Sequence, residues 1–216
     1  MNKSEVLKQI KDTGVIPVVR ATTADEAMRA IDAIREGGIS VLEITMTVPG
    51  AVGVIEQVVA RFGNDALVGA GTVLDAETAK ACIAAGAQFI VSPALNMETI
   101  AYCREQDVAV MPGALTPTEV VQAWNAGADL VKVFPARALG GASYLKALKA
   151  PLPHIELVPT GGVSLMTAAD FISAGAAALG VGTDLVDIKA IREGQAELIT
   201  ERAKQFVEIV RQARNI

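Results

Sequence analysis

Histidine, cysteine and aromatic residues are scarce in this chain of 216 residues. It has one histidine, two cysteines and 4% aromatic residues. A structural zinc site takes four ligands, mostly from histidine and cysteine, so the composition argues against a conventional zinc site. Cys82 and Cys103 fall in helical-looking stretches, which is not the pattern of a disulfide scaffold. Carboxylates alone could still hold a magnesium ion.

An excess of positive charge and long apolar runs are also missing. The chain carries 19 lysines and arginines against 24 aspartates and glutamates, and its net charge of −5 argues against a nucleic-acid surface. No stretch approaches the roughly 20 apolar residues of a membrane span. Residues 1–8 lack the apolar run of a signal peptide. We therefore expect a cytoplasmic protein without a nucleic-acid or membrane partner.

What the sequence does contain is a repeated unit of helix, glycine and apolar strand. A glycine just past a helix supplies the left-handed residue that ends it, so each repeat predicts a loop from a helix to a strand. The four motifs are Glu36-Gly37-Gly38, Ala85-Gly86-Ala87, Ala126-Gly127-Ala128 and Ala174-Gly175-Ala176.

The full pattern predicts eight strands and eight helices in alternation. Short, continuously apolar strands are typical of parallel sheets covered on both faces. We predict the α/β class and a TIM (β/α)8 barrel with one extra N-terminal helix near 4–13, as a single domain over 1–216. A doubly wound sheet is disfavoured because no Gly-x-Gly-x-x-Gly turn follows the first strand. The strands are predicted near 15–20, 40–45, 67–72, 89–93, 108–113, 130–134, 156–160 and 177–181, and the helices near 24–36, 51–62, 76–85, 97–106, 118–126, 143–149, 166–174 and 196–213.

Two charged residues interrupt these apolar strands. Side chains alternate along a strand, so Lys132 shares a face with Phe134, and Glu43 shares one with Thr45. Both faces are predicted to point toward the barrel axis. Lysine and glutamate are almost never fully buried unless they are paired. The two residues therefore form either a structural ion pair or a reactive site.

The reactive alternative has a definite chemistry. Burial disfavours an ammonium group, and a free amine attacks a carbonyl to form a Schiff base. The protonated imine then draws electrons from the neighbouring carbon–carbon bond and promotes its cleavage. This reaction also needs a base, and a carboxylate is the natural candidate in a chain whose one imidazole is His154. Lys132 and Glu43 supply both groups without a metal.

Glycines and small polar residues follow several other strands. Gly69-Ala70-Gly71-Thr72, Thr160-Gly161-Gly162 and Gly180-Val181-Gly182-Thr183 end the third, seventh and eighth strands. The loops after strands seven and eight form a recurring phosphate site in barrels. Arg20, at the end of strand one, is the cation best placed to hold a carboxylate or phosphate. Ordinary glycine-rich loops and a surface arginine are the alternatives.

These motifs together resemble the 2-keto-3-deoxy-6-phosphogluconate (KDPG) and 4-hydroxy-2-oxoglutarate (KHG) aldolase family. The resemblance implies a class I aldolase on a TIM barrel, usually a homotrimer, which releases pyruvate from a 2-keto-4-hydroxy acid without a cofactor or metal. It covers nearly the whole chain. The motifs, in order, are Val41-Leu42-Glu43-Ile44-Thr45, Gly69-Ala70-Gly71-Thr72-Val73, Phe89-Ile90-Val91-Ser92-Pro93, Leu130-Val131-Lys132-Val133-Phe134-Pro135, Pro159-Thr160-Gly161-Gly162-Val163 and Gly180-Val181-Gly182-Thr183.

The resemblance also implies roles for individual residues. Lys132 matches the Schiff-base lysine and Glu43 the acid/base carboxylate. Thr47 stands where members acting on phosphogluconate often have an arginine that binds an anionic group, so the substrate is left open. Asp184 adds a negative charge near the predicted phosphate site and weakly favours a smaller or unphosphorylated substrate. The residues matching the pyruvyl pocket are Arg20, Thr72, Pro93 and Phe134 with Thr160 nearby, and those matching the phosphate loops are Gly161, Gly162, Gly180, Gly182 and Thr183.

The predicted reaction is the cleavage of KDPG to pyruvate and D-glyceraldehyde 3-phosphate. Two alternatives keep the chemistry and change the substrate to KHG or to 2-keto-3-deoxy-6-phosphogalactonate. A phosphosugar isomerase or epimerase, in which Glu43 abstracts a proton and Lys132 acts only through its charge, is an alternative of another class. A phosphosugar-binding barrel without catalysis is a further alternative.

Overall fold

The computed structural model describes residues 1–214, in which parallel strands alternate with helices along the chain. The strands are β1 (Val15–Val19), β2 (Val41–Thr45), β3 (Leu67–Gly71), β4 (Phe89–Val91), β5 (Ala109–Met111), β6 (Gly113–Ala114), β7 (Val131–Val133), β8 (Leu157–Pro159) and β9 (Leu179–Val181).

Ten α-helices lie in the described residues, and none of them is long and apolar enough to cross a membrane. Two short 3₁₀ helices, Gly63–Asp65 and Ala136–Leu139, lie among them. The α-helices are α1 (Lys3–Thr13), α2 (Ala24–Glu36), α3 (Ala51–Phe62), α4 (Ala76–Ala84), α5 (Met97–Glu105), α6 (Pro117–Asn125), α7 (Ala142–Lys149), α8 (Ala168–Ser173), α9 (Ile188–Arg192) and α10 (Glu197–Arg214).

The strands form a curled sheet with the shape of half a barrel, continued by a smaller sheet. Six strands pair in the order β5-β4-β3-β2-β1-β9, and three pair in the order β6-β7-β8. Hydrogen bonds join the two sheets on both sides. The Asp129 N–H donates to Val110 O at 3.1 Å, and the Ala177 N–H donates to Leu157 O at 2.9 Å.

The predicted helix and strand positions are confirmed to within a few residues, with two corrections. The predicted strand at 108–113 is two strands, because Pro112 has no N–H to donate to a neighbouring strand. Its carbonyl instead accepts from the Lys132 N–H at 3.0 Å. The sequence analysis also missed α9, which Asp187 caps by accepting a hydrogen bond from the Ala190 N–H.

The repeated glycine motif is confirmed as a repeated backbone conformation. One glycine in each of the four motifs has a φ between 91° and 99°, a region that side chains with a Cβ rarely adopt. These residues are Gly38, Gly86, Gly127 and Gly175.

The inside of the curled sheet holds an apolar cluster, most of it near the N-terminal ends of the strands, which we call the lower layer. Helix α1 packs against it through Val6 and Ile10, so this end is covered by a helix. A separate and larger apolar cluster lies between the strands and the outer helices. The lower layer consists of Val6, Ile10, Ile16, Val41, Leu67, Phe89, Val91, Ala109, Met111, Leu130, Val158 and Ala178.

Candidate active site

Glu43 and Lys132 lie on the inner face of the sheet, above the lower layer. Each is only 2% exposed. Glu43 is the central residue of β2, and Lys132 is the central residue of β7. None of the ion pairs within 4.0 Å among residues 1–214 includes either residue. This geometry is not that of a structural ion pair.

The carboxyl group of Glu43 is buried against the backbone of β3. A Cβ atom added to Gly71 would come within 2.0 Å of Glu43 Oε1, so only glycine leaves room for the carboxyl group. Among the described residues, Oε1 has no hydrogen-bond partner. Burial raises the pKa of Glu43, and the positive charges of Lys132 and Arg20 oppose the rise. The group is therefore able to hold or release a proton inside the protein.

Lys132 is buried between two neighbouring strands, and its amine lies near one aromatic ring. Its Nζ lies 5.3 Å from the centroid of the Phe134 ring. Gly113 is its register partner on β6, and Val158 is its partner on β8. A Cβ on Gly113 would meet the carbonyl of Pro93 at 2.3 Å, so this glycine lets the β4 loop approach β6 closely.

A cavity of about 120 Å³ opens where β1, β8 and β9 end. Three of its lining residues are not among the predicted binding residues. Asp184 lies next to the predicted phosphate loops, and the sequence analysis gave Val18 and Val163 no role. The cavity brings together seven of the predicted substrate-binding residues: Arg20, Phe134, Thr160, Gly161, Gly162, Gly182 and Thr183.

The remaining predicted binding residues lie outside this lining. Gly180 lies beneath it, where a Cβ would come within 2.1 Å of Thr160 Oγ1. Thr72 directly follows β3 with a φ of 58°, an unusual conformation for a residue with a branched side chain. Pro93 is half-buried after β4, and Thr47 is exposed two residues beyond β2.

The structure gives two glycines roles that the sequence analysis did not predict. The spacing Gly69-x-Gly71 was noted only for a ligand approaching the backbone, whereas the neighbour that Gly71 admits is Glu43. Gly113 was not singled out. Its position after Pro112, opposite Lys132 in register, is the signal that could have found it. No cluster of three or more potential metal ligands is found in residues 1–214.

Comparison with known proteins decides the family. The family model "KDPG and KHG aldolase" matches residues 6–202. This chain belongs to the KDPG and KHG aldolase family. It is accordingly an enzyme of the aldehyde-lyase type.

Individual relatives in the family match nearly the whole chain. The 2-dehydro-3-deoxy-6-phosphogalactonate aldolase of Escherichia coli K12 is 38% identical over 92% of this chain and 95% of its own length. The 2-dehydro-3-deoxy-phosphogluconate aldolase of Treponema pallidum (strain Nichols) is 35% identical over 95% of this chain and 96% of its own.

A solved structure of the family is similar in fold and carries a covalent intermediate. It is the KDPG aldolase of Legionella pneumophila, with pyruvate captured as a carbinolamine. It matches at a TM-score of 0.85 and 30% identity, over 92% of this chain and 96% of its own.

Proposed function

We propose that this aldolase forms a Schiff base at Lys132 and cleaves KDPG to pyruvate and D-glyceraldehyde 3-phosphate without a cofactor. The observation that carries the proposal is the pair of residues inside the sheet. An amine and a carboxyl group are each 2% exposed, on β7 and β2, and they form no ion pair with each other. A Schiff-base aldolase needs these two groups in a water-poor site.

The first step is the attack of Lys132 Nζ on the C2 ketone of the substrate. The new C–N bond gives a carbinolamine, which loses water to give a protonated imine. The carbinolamine held by the Legionella pneumophila relative supports this order of events.

The second step breaks the bond between C3 and C4. Glu43, directly or through a water molecule, takes the proton of the C4 hydroxyl, and the electrons of the broken O–H bond form the second C–O bond of the aldehyde. The electrons of the C3–C4 bond move to the imine and give an enamine. Because burial raises the pKa of Glu43, its carboxyl group can keep this proton and return it to C3. Water then hydrolyses the imine and releases pyruvate.

The remaining predicted residues hold the two ends of the substrate. Arg20 and Thr72 orient its carboxylate, and Pro93 and Phe134 pack around the pyruvyl part, with Thr160 beside them. Backbone N–H groups of glycine-rich loops are suited to a phosphate. We assign this role to the loops after β8 and β9, through Gly161, Gly162, Gly182 and Thr183, with Gly180 leaving room beneath them.

The proposal includes the architecture and the assembly. We infer that the sheet closes into a TIM (β/α)8 barrel with α1 as the extra helix, in a single domain. The hydrogen bonds on both sides of the smaller sheet support closure. We also infer a homotrimer in the cytoplasm, on the basis of the family. The native mass of the purified protein tests the trimer.

A second substrate within the same chemistry is the C4 epimer, 2-keto-3-deoxy-6-phosphogalactonate. The 38% identity to an aldolase named for this compound supports it, compared with 35% for the KDPG aldolase of Treponema pallidum. KHG is a third substrate, since an E. coli K12 relative named KHG/KDPG aldolase is 33% identical. Measuring kcat/KM on the three compounds ranks them.

Reductive trapping tests the mechanism. The protein is incubated with pyruvate and borohydride, and the adduct is located by mass spectrometry of peptides. We expect one adduct, on Lys132, and none in the Lys132→Met variant. An adduct on Lys146 or Lys149 would contradict the assignment. No adduct at all would favour an isomerase or a binding protein.

A further inference from the structure

The loop after β1, which carries Arg20, is held by a residue far along the chain. Arg192, the last residue of α9, donates from Nε to Glu26 Oε1 and from Nη2 to Thr22 Oγ1, each at 2.7 Å. Glu26 lies in the first turn of α2, and Thr22 lies two residues after Arg20. Arg192 therefore joins the end of α9 to the segment between Arg20 and α2.

The protons of this cluster have one consistent arrangement. The Thr22 hydroxyl donates to Glu26 Oε2 at 2.7 Å, so its lone pairs can accept from Arg192. The Thr22 N–H donates to the same carboxylate oxygen at 3.0 Å, which fixes the backbone of the loop as well as the side chain. The hydrogen bonds from Arg192 and Thr22 lower the pKa of Glu26 to about 2. The Glu26 carboxylate therefore stays ionised in the pH range in which a carboxyl group of raised pKa, such as that of Glu43, titrates.

The position of Arg20 at the cavity depends on this loop. Arg20 lines the cavity together with Thr183 and Asp184, which lie between β9 and α9. Its side chain is exposed, and over the described part of the chain it takes part in no ion pair within 4.0 Å. Burial raises the pKa of Glu43, and the positive charges of Lys132 and Arg20 oppose the rise. A shift of the loop therefore changes both the cation offered to the substrate and the charge that acts on Glu43.

We propose that Arg192 is a positioning residue, which fixes the loop after β1 and thereby holds Arg20 where the substrate carboxylate binds. The proposal rests on the proposed function, because it takes the role of Arg20 from it. An isolated ion pair at the surface contributes little, but this one belongs to a network of hydrogen bonds, in which the Glu26 side chain is only 13% exposed.

A separate contact keeps α9 on α2 when Arg192 is removed. Arg29 of α2 donates to the carbonyl of Ile191, the residue before Arg192. Loss of the Arg192 side chain should therefore release the loop after β1 and leave the helix in place.

Arg192→Ala tests the proposal through KM. At a pH well above the pKa of Glu43, we expect KM on KDPG to rise about fivefold, the effect of one exposed ion pair, and kcat to stay within about twofold. The pyruvate concentration that gives half of the maximal borohydride-trapped adduct should rise by the same factor, because pyruvate carries the carboxylate that Arg20 binds. Destabilisation alone would lower the apparent kcat and leave both concentrations unchanged.

The pH profile of the same variant gives a readout that a merely structural role would not move. When the charge of Arg20 moves away, the pKa of Glu43 rises further, so the rise of kcat/KM with pH should have its midpoint at a higher pH. Lys132, the other charge that acts on Glu43, is unchanged in this variant. Glu26 stays ionised throughout and does not contribute to the profile.

Arg61→Ala is the matched control. Arg61 of α3 also pairs with a neighbouring helix, through Asp32 of α2 at 2.9 Å, and its side chain is 50% exposed, compared with 52% for Arg192. Neither residue of this pair lines the cavity. KM and the midpoint of the pH profile should both stay at the values of the unmodified protein.

The outcomes separate this inference from the proposed function. An unchanged KM in Arg192→Ala, or a raised KM with an unmoved pH midpoint, would overturn the role of Arg192 while the pyruvate adduct on Lys132 still forms. An equal rise of KM in Arg61→Ala would overturn it as well. Absence of the adduct in the unmodified protein would overturn the proposed function itself.

Discussion

Gly69 and Gly71 lie two residues apart on the inner face of β3, and each leaves room for a different kind of side chain. A Cβ on Gly69 would come within 2.3 Å of the Phe89 ring, in the lower layer. A Cβ on Gly71 would come within 2.0 Å of Glu43 Oε1. Two residues along a strand span about 6.6 Å. The change from an apolar interior to a reactive one therefore takes place within one step of one strand.

The lower layer and the level above it, which holds Glu43 and Lys132, contribute to different properties of the protein. The lower layer buries apolar side chains against α1 and contributes stability through the hydrophobic effect. The level above it buries an amine and a carboxyl group, whose charged forms are disfavoured by burial. If this division holds, substitutions at the upper level change turnover, and substitutions at the lower level change stability.

The largest expected effect on turnover is that of Lys132→Met. It removes the proposed nucleophile and keeps a side chain of similar length, so we expect kcat/KM to fall by roughly 10⁴-fold or more. The midpoint of thermal unfolding should stay the same or rise, since a buried polar group is replaced by an apolar one. Lys146→Met, on the exposed face of α7, is the matched control and should keep full activity. If Lys132→Met retained most of the activity, the proposed mechanism would be contradicted.

Gly71→Ala should have the next largest effect. The new methyl group displaces the Glu43 carboxyl group, and a displacement of about 1 Å lowers activity by about 100-fold. Trapping of pyruvate at Lys132 should persist, because the amine is untouched. Steady-state kinetics and adduct formation in the same preparation check both expectations. Unchanged kinetics would show that the position of Glu43 is not critical.

The pH dependence of kcat/KM measures the environment of Glu43. Its carboxyl group must be ionised to take the C4 proton, so activity rises with pH, about tenfold per unit below the pKa of the group. Since burial raises the pKa of Glu43, the midpoint of this rise should lie above the ordinary value of 4.5. In Glu43→Gln the residual activity should not show this rise. A midpoint at or below 4.5 would argue against Glu43 as the base.

Gly69→Ala should have the smallest effect on turnover and is the partner experiment to Gly71→Ala. The added methyl group crowds Phe89 in the lower layer, and overpacking of a core costs about 1–3 kcal/mol of unfolding free energy. We expect kcat per folded molecule to be unchanged. Urea unfolding and kinetics together test this. A loss of turnover as large as that of Gly71→Ala would remove the distinction between the two levels.

The sequence predicted the features that depend on local alternation. Side-chain parity within one strand is enough to turn Glu43 and Lys132 inward, and both are buried there. The glycine motifs likewise predicted the loops from helix to strand, because a left-handed residue is a local requirement.

The features that the sequence did not predict depend on contacts between distant segments. Pro112 has no N–H, but that this divides the predicted strand shows only in the pairing, in which β5 pairs with β4 and β6 pairs with β7. Val18 and Val163 line the cavity because of the way three strand ends meet. A family resemblance also cannot predict exposure. It grouped Thr47 with the binding residues, whereas in the structure Thr47 is exposed two residues beyond β2, with its hydroxyl 2.6 Å from that of Thr45.

The helix packed beneath the lower layer has a consequence for the order of events. Because Val6 and Ile10 of α1 cover that end, we expect reactants and products to pass through the opposite end, where the cavity opens. In the proposed reaction the pyruvyl fragment stays tethered to Lys132 after cleavage, while the aldehyde is the outer fragment. Departure should therefore be sequential, aldehyde first and pyruvate last, and in the synthetic direction pyruvate should enter before its partner.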